Sequence, residues 1–122
     1  MNRVLIFFSV LLLFLDRLSK QFILVNPEKL VKNSDFYYFS INQYLLITII
    51  GAVIILLLLL FLKNRNAGLL FIVLGGTSNL FDRIYFGYVI DWIRIWISVF
   101  NIADIMIFIG LLCLISHFHK SK

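Results

Sequence analysis

The chain has 122 residues, 62% hydrophobic and only 14% charged, with a mean hydropathy of +1.03. A soluble domain of this size cannot hide so much apolar surface, because small domains bury only part of what they carry. The net charge of +5 does not point to nucleic acid: the basic residues lie between hydrophobic runs, as topology signals do, and form no basic patch.

Four hydrophobic stretches follow one another. The first, from about Val4 to Val25, is interrupted by Asp16, Arg17 and Lys20. It starts like a signal peptide, with Arg3 before an apolar run. Asp16-Arg17 stands where a small-residue cleavage site would be, so retention is expected. Pro27 breaks the chain just after it, and Phe36-Tyr37-Tyr38-Phe39 suits the lipid headgroup level. The second stretch, Ile41 to Leu62, carries no formal charge. The third starts near Ala67, and Gly75-Gly76 inside it suits close helix approach. Its apolar part ends around Phe81 and the span closes at Asp82-Arg83. From Tyr88 to Ser98 the residues alternate. Asp91, Ile93, Ile95 and Ile97 share one side, and Trp92, Arg94, Trp96 and Ser98 the other, which predicts an extended segment on the membrane surface. The fourth stretch runs from Phe100 to about Phe118 with Asp104 inside it. Its Cys113 reads as packing, and His117 and His119 as part of a basic tail with no metal-ligand spacing.

Spans near residues 4–25, 41–62, 67–83 and 100–118 predict an all-α membrane protein. It has four transmembrane helices, a small extended segment at the outer face, and one domain over residues 1–122. With four crossings, Arg3, Lys63, Arg65, Lys120 and Lys122 gather at one face with no acid among them. The positive-inside rule makes that face cytoplasmic and places both termini there.

Acids at membrane depth need a reason. Asp16 has one in Lys20, four residues on along the same helical face, which makes a structural ion pair. Arg17 is free to snorkel to the headgroups, and Asp82 has Arg83 beside it as a local counter-charge. Asp91 and Asp104 have no cationic partner in sequence, and Asn101 stands where it would cap the last helix. The topology brings Asn79, Asp82, Arg83, Asp91 and Asp104 to one membrane face. Two neighbouring carboxyls cannot both ionise easily, so one keeps a proton at neutral pH. An aspartic peptidase needs that state: the carboxylate draws a proton from water while its protonated partner polarises the scissile carbonyl. A serine or cysteine nucleophile would lack a base, because both histidines fall at the other face.

These residues resemble the bacterial lipoprotein signal peptidases (signal peptidase II). Gly75-Gly76-Thr77-Ser78-Asn79-Leu80-Phe81-Asp82-Arg83, then Phe86-Gly87-Tyr88-Val89-Ile90-Asp91-Trp92-Ile93, is similar to the block G-x-x-G-N-x-x-D-R…G-x-V-x-D-F. Phe100-Asn101-Ile102-Ala103-Asp104, with Gly110 later, resembles F-N-x-A-D-x-x-I-x-x-G, and Asp16-Arg17-Leu18-Ser19-Lys20 resembles D-x-x-(S/T)-K.

The resemblance implies that Asp91 and Asp104 are the catalytic pair and that Asn79, Arg83 and Asn101 support the site and contact substrate. It implies removal of the signal peptide from a diacylglyceryl-modified prolipoprotein, just before the lipid-bearing cysteine, in the cytoplasmic membrane. The lipid would lie among the helices and the peptide under the outer loop. No cofactor, metal or nucleic acid is expected, and the protein is expected to act as a monomer. The chain is short for the family. Its N-x-G-x-A-F block is not recognisable in Val31–Phe39, where Asn33 alone corresponds; Ser78 replaces a glycine and Trp92 a phenylalanine. The competing class is non-enzymatic: a channel or transporter subunit, or an inactive relative, with the same acids lining an ion path.

Overall fold

Each of the four long helices begins at an asparagine whose side-chain oxygen accepts a backbone N–H of the first turn. Asn2 serves α1 (Arg3–Leu24), Asn42 serves α2 (Gln43–Asn64), Asn66 serves α3 (Ala67–Phe86) and Asn101 serves α4 (Ile102–Lys120). Such caps satisfy donors that would otherwise lack partners at a helix start. The computed structural model describes residues 1–34 and 42–122; Asp35 and the aromatic run Phe36–Phe39 lie outside the described residues.

The helices alternate in direction. One end of the bundle carries Met1, the Asn64–Asn66 turn and His117. Four short strands lie at the other end: β1 (Val31–Asn33), β2 (Val89–Asp91), β3 (Ile93–Ile95) and β4 (Ser98–Phe100). β1 pairs antiparallel with β2, placing Val31 opposite Asp91, and β3 pairs with β4.

Burial is inverted relative to a soluble protein. Phe7, Phe14, Ile55, Leu59, Phe108 and Ile115 are exposed, whereas Asp16, Lys20 and Asp82 are fully buried. Helices α2, α3 and α4 are each long and apolar enough to cross a membrane. α1 is as long as α2, but Arg3, Asp16, Arg17 and Lys20 interrupt its apolar sequence.

α3 is the central helix, touching the other three. Against α4 the approach depends on small residues: a Cβ on Gly75 would lie 2.6 Å from the Ala103 carbonyl oxygen, and one on Gly110 would lie 2.6 Å from that of Gly68. Gly75→Ala is therefore expected to cost about 1–3 kcal/mol and to push the start of α4 away. Thermal unfolding in detergent checks this; a melting temperature equal to the parent's would show that α4 can yield.

Three expectations need correction. α3 does not stop at Arg83 but continues to Phe86, where Gly87 takes the left-handed conformation (φ 81°) and closes it. The Tyr88–Ser98 alternation is not one extended segment, because the pairing changes from β2 to β3 around Trp92 and the chain turns at Trp96 (φ 57°) before β4. The side shared by Asp91, Ile95 and Ile97 is consequently split: Asp91 is buried, Ile95 and Ile97 exposed.

Candidate active site

Two fully buried acids and two cations link α1 to α3. Lys20 Nζ lies 3.0 Å from Asp16 Oδ2 and 2.7 Å from Asp82 Oδ2, and Arg17 Nη1 lies 2.7 Å from Asp82 Oδ1. Asp82 therefore takes its counter-charges from α1. The expected pairing of Asp82 with its neighbour Arg83 is wrong, and so is an Arg17 turned to the headgroups. The helical arc decides the matter: Asp82 faces inward toward α1, and adjacent side chains on a helix diverge. Arg83 Nη1 instead donates to the Ser34 carbonyl, 3.2 Å away. Ser78 donates through Oγ to Asp16 Oδ2 and accepts from Arg17 at 3.1 Å.

Asp91 and Asp104 meet around a pair of amides. Asn101 Nδ2 donates to Asp91 Oδ1 at 2.8 Å and to Asn79 Oδ1 at 3.0 Å. Asn79 Nδ2 donates to Asp104 Oδ1 at 2.8 Å. Asn101 and Asp104 also close a reciprocal capping box: the Asp104 N–H reaches Asn101 Oδ1 at 2.9 Å and the Asn101 N–H reaches Asp104 Oδ2 at 3.2 Å. The side chains proposed from sequence for the site are thus gathered at the strand-bearing end of the bundle, with Arg83 donating to Ser34, the residue after Asn33. His117 lies at the opposite end, lining the cavity beside Met1.

Asn33, which the sequence offered only as an isolated match, donates to Asp91 Oδ2 at 3.1 Å. Strand pairing of β1 with β2 places it there, and three residues of strand leave little pattern to read. Ser78 was likewise missed as a site residue; its signal was a hydroxyl one residue before Asn79, in the polar half of α3 that also carries Asp82 and Arg83.

Burial pushes the Asp91 carboxyl up from 3.8 to about 6; the Asn33 amide draws it down, and the neighbouring Asp104 charge raises it further. This has a consequence for stability. Below 3.8 both states are protonated and nothing is lost; between 3.8 and about 6 only the unfolded chain ionises freely, so stability falls as pH rises and levels off once the folded protein also carries the charge. Asp91→Asn is therefore expected to be more stable than the parent at pH 7.5, by on the order of 2 kcal/mol, and to lose that advantage near pH 4. A pH-independent difference in melting temperature would contradict it.

Comparison with known proteins separates family from fold. The family model described as Signal peptidase (SPase) II matches residues 8–120. The chain belongs to the signal peptidase II family. The Lipoprotein signal peptidase of Clostridioides difficile (strain 630) is 30% identical over 93% of this chain and 94% of its own. That of Buchnera aphidicola subsp. Baizongia pistaciae is 34% identical over 95% and 91%. The one from Wigglesworthia glossinidia brevipalpis is 42% identical, but the match covers 61% of this chain and 56% of that relative. A solved bacterial membrane enzyme, determined by the in meso method at 2.3 Å resolution, superposes with a TM-score of 0.81 over 96% of this chain and 88% of its own at 22% identity. That likeness bears on the fold alone. With its family and its three apolar helices, the chain is a multi-pass membrane protein.

Proposed function

We propose that this signal peptidase II family member is a membrane aspartic endopeptidase that removes the signal peptide from diacylglyceryl-modified prolipoproteins, cutting before the lipid-modified cysteine. The observation that carries the reading is the placement of two carboxyls, Asp91 and Asp104, on one amide pair: Asn101 touches both, and Asn79 touches Asp104 and Asn101.

The chemistry follows from one shared proton. The ionised carboxyl takes a proton from a water molecule as its oxygen adds to the scissile carbonyl, and the protonated carboxyl gives its proton to the carbonyl oxygen. The tetrahedral intermediate collapses when the C–N bond breaks: the amine leaves with the proton first taken from water, and a hydroxyl of the new carboxyl group returns a proton to the second carboxyl, which restores the shared-proton state. The products are a signal peptide ending in a carboxylate and a lipoprotein beginning at the modified cysteine. Asn79 and Asn101 hold the two carboxyls, and Arg83, anchored on Ser34, contacts the peptide. Asp16, Lys20 and Asp82 neutralise one another within the bundle.

In this reading α1 crosses the membrane as well, giving four spans. Its Asp16, Arg17 and Lys20 turn toward α3 while Phe7, Phe14 and Phe22 face outward, as lipid contact requires. The five basic residues at the far end support an orientation with both termini in the cytoplasm and the carboxyls near the outer face of the inner membrane. The enzyme works as a monomer, needs no cofactor, and meets its substrate from within the lipid.

The test is cleavage by the purified protein of a diacylated precursor peptide and of the same peptide without lipid. Cutting of the lipidated form alone is expected. No cutting of either would favour a non-enzymatic role, and equal cutting of both would remove the lipid from the recognition.

A further inference from the structure

Lys20 is fully buried, and its ammonium has three N–H donors and no acceptor. Its three shortest contacts use all of them: Asp82 Oδ2 at 2.7 Å, Asp16 Oδ2 at 3.0 Å and Asn79 Oδ1 at 3.1 Å. The third contact reaches beyond charge neutralisation. Because a lysine can only donate, the Asn79 oxygen must face Lys20, and the Asn79 NH2 must then face Asp104, to which it donates at 2.8 Å. The two acids that Lys20 pairs with also hold the backbone on either side. Asp16 Oδ1 accepts the Ala103 N–H at 2.8 Å, one residue before Asp104, and Asp82 Oδ2 accepts the Ile90 N–H at 3.3 Å, one residue before Asp91.

We propose that Lys20 is a positioning residue of the carboxyl pair, fixing the orientation of the Asn79 amide and, through Asp16 and Asp82, the backbone that carries Asp104 and Asp91. The proposal rests on the peptidase reading and adds to it a role for a charge that would otherwise only neutralise Asp16 and Asp82. Helix α1 offers no side chain to either carboxyl, so its influence on turnover passes through these contacts. The charged groups around the ammonium are Asp16 and Asp82 in direct contact, Arg17 on the other oxygen of Asp82, and Asp91 and Asp104 beyond the amides. Arg83 donates to the Ser34 carbonyl. The positive charge of Lys20 favours the ionised form of Asp91.

The experiment compares the parent, Lys20→Met and the charge-neutral double variant Asp16→Asn/Lys20→Met on the diacylated precursor across pH, counting only folded protein. Parent turnover tests the peptidase reading by itself; the ratios to the parent test this inference. In both variants kcat is expected to fall about 10–100-fold, as a small misplacement of reacting groups does, with KM within about threefold. In Lys20→Met the acidic limb of the kcat profile is also expected to move to higher pH, because a cation near the pair is gone. If Lys20→Met does not fold, the kcat-against-KM split of the double variant decides. A folded double variant with the parent's kcat, a loss confined to KM, or an unmoved acidic limb in folded Lys20→Met would overturn the proposal.

Discussion

Asp104→Asn and Asp91→Asn are each expected to lower kcat on a diacylated precursor by at least about 10³-fold. An amide can neither take a proton from water nor return one to the leaving amine. Its size is nearly that of the carboxyl, so binding and KM should change little. The double variant should lose little more than either single one, since the carboxyls act as a unit and the first substitution already abolishes the shared proton. The substitutions should not unfold the protein, because the introduced amide can turn its own oxygen to the NH2 group from which the carboxyl accepted, that of Asn79 for Asp104→Asn and that of Asn101 for Asp91→Asn, while Asn33 can turn its amide to meet it. Turnover by a folded single variant within tenfold of the parent would remove that residue from the chemistry.

Lys20→Met is expected to have the second largest effect, and on stability. The ammonium is the direct partner of both Asp16 and Asp82, and all three side chains are fully buried. Without it, two carboxylates share only Arg17, which contacts Asp82 and not Asp16. Breaking one side of a buried charge cluster costs about 3–5 kcal/mol, because the remaining charge has neither water nor a partner. Neutralising Asp16 at the same time should recover most of that loss. The measurement is the melting temperature of Lys20→Met and Asp16→Asn/Lys20→Met in one detergent. Equal melting temperatures for the two variants would mean that Asp16 bears no unpaired charge when Lys20 is absent.

Local features of the fold were readable from the chain. The uncharged run Ile41 to Leu62 is α2 to within two residues at each end. The four-residue spacing of Asp16 and Lys20 is a contact of 3.0 Å, because i and i+4 lie on one helical face. The cap at Asn101 follows from its place before an apolar run. What lay hidden was lateral. Asp82 takes its cations from a helix more than sixty residues earlier, and nothing in the order of residues records which arc of α3 faces α1. Asn33 reaches Asp91 through a three-residue strand pairing. The turn at Trp96 was invisible for another reason: the alternation runs straight through it, and a tryptophan in the left-handed region gives none of the warning that a glycine or asparagine would.

The central claim, direct attack of water under two carboxyls, is tested most directly by a single turnover of the diacylated precursor in water enriched in oxygen-18, followed by mass analysis of peptide and protein. The account predicts a released signal peptide that ends just before the lipid-modified cysteine and carries one heavy oxygen in its new carboxylate. Protein sampled throughout the turnover should keep its unmodified mass. A peptide adduct on the protein, or a precursor left uncut, would contradict it.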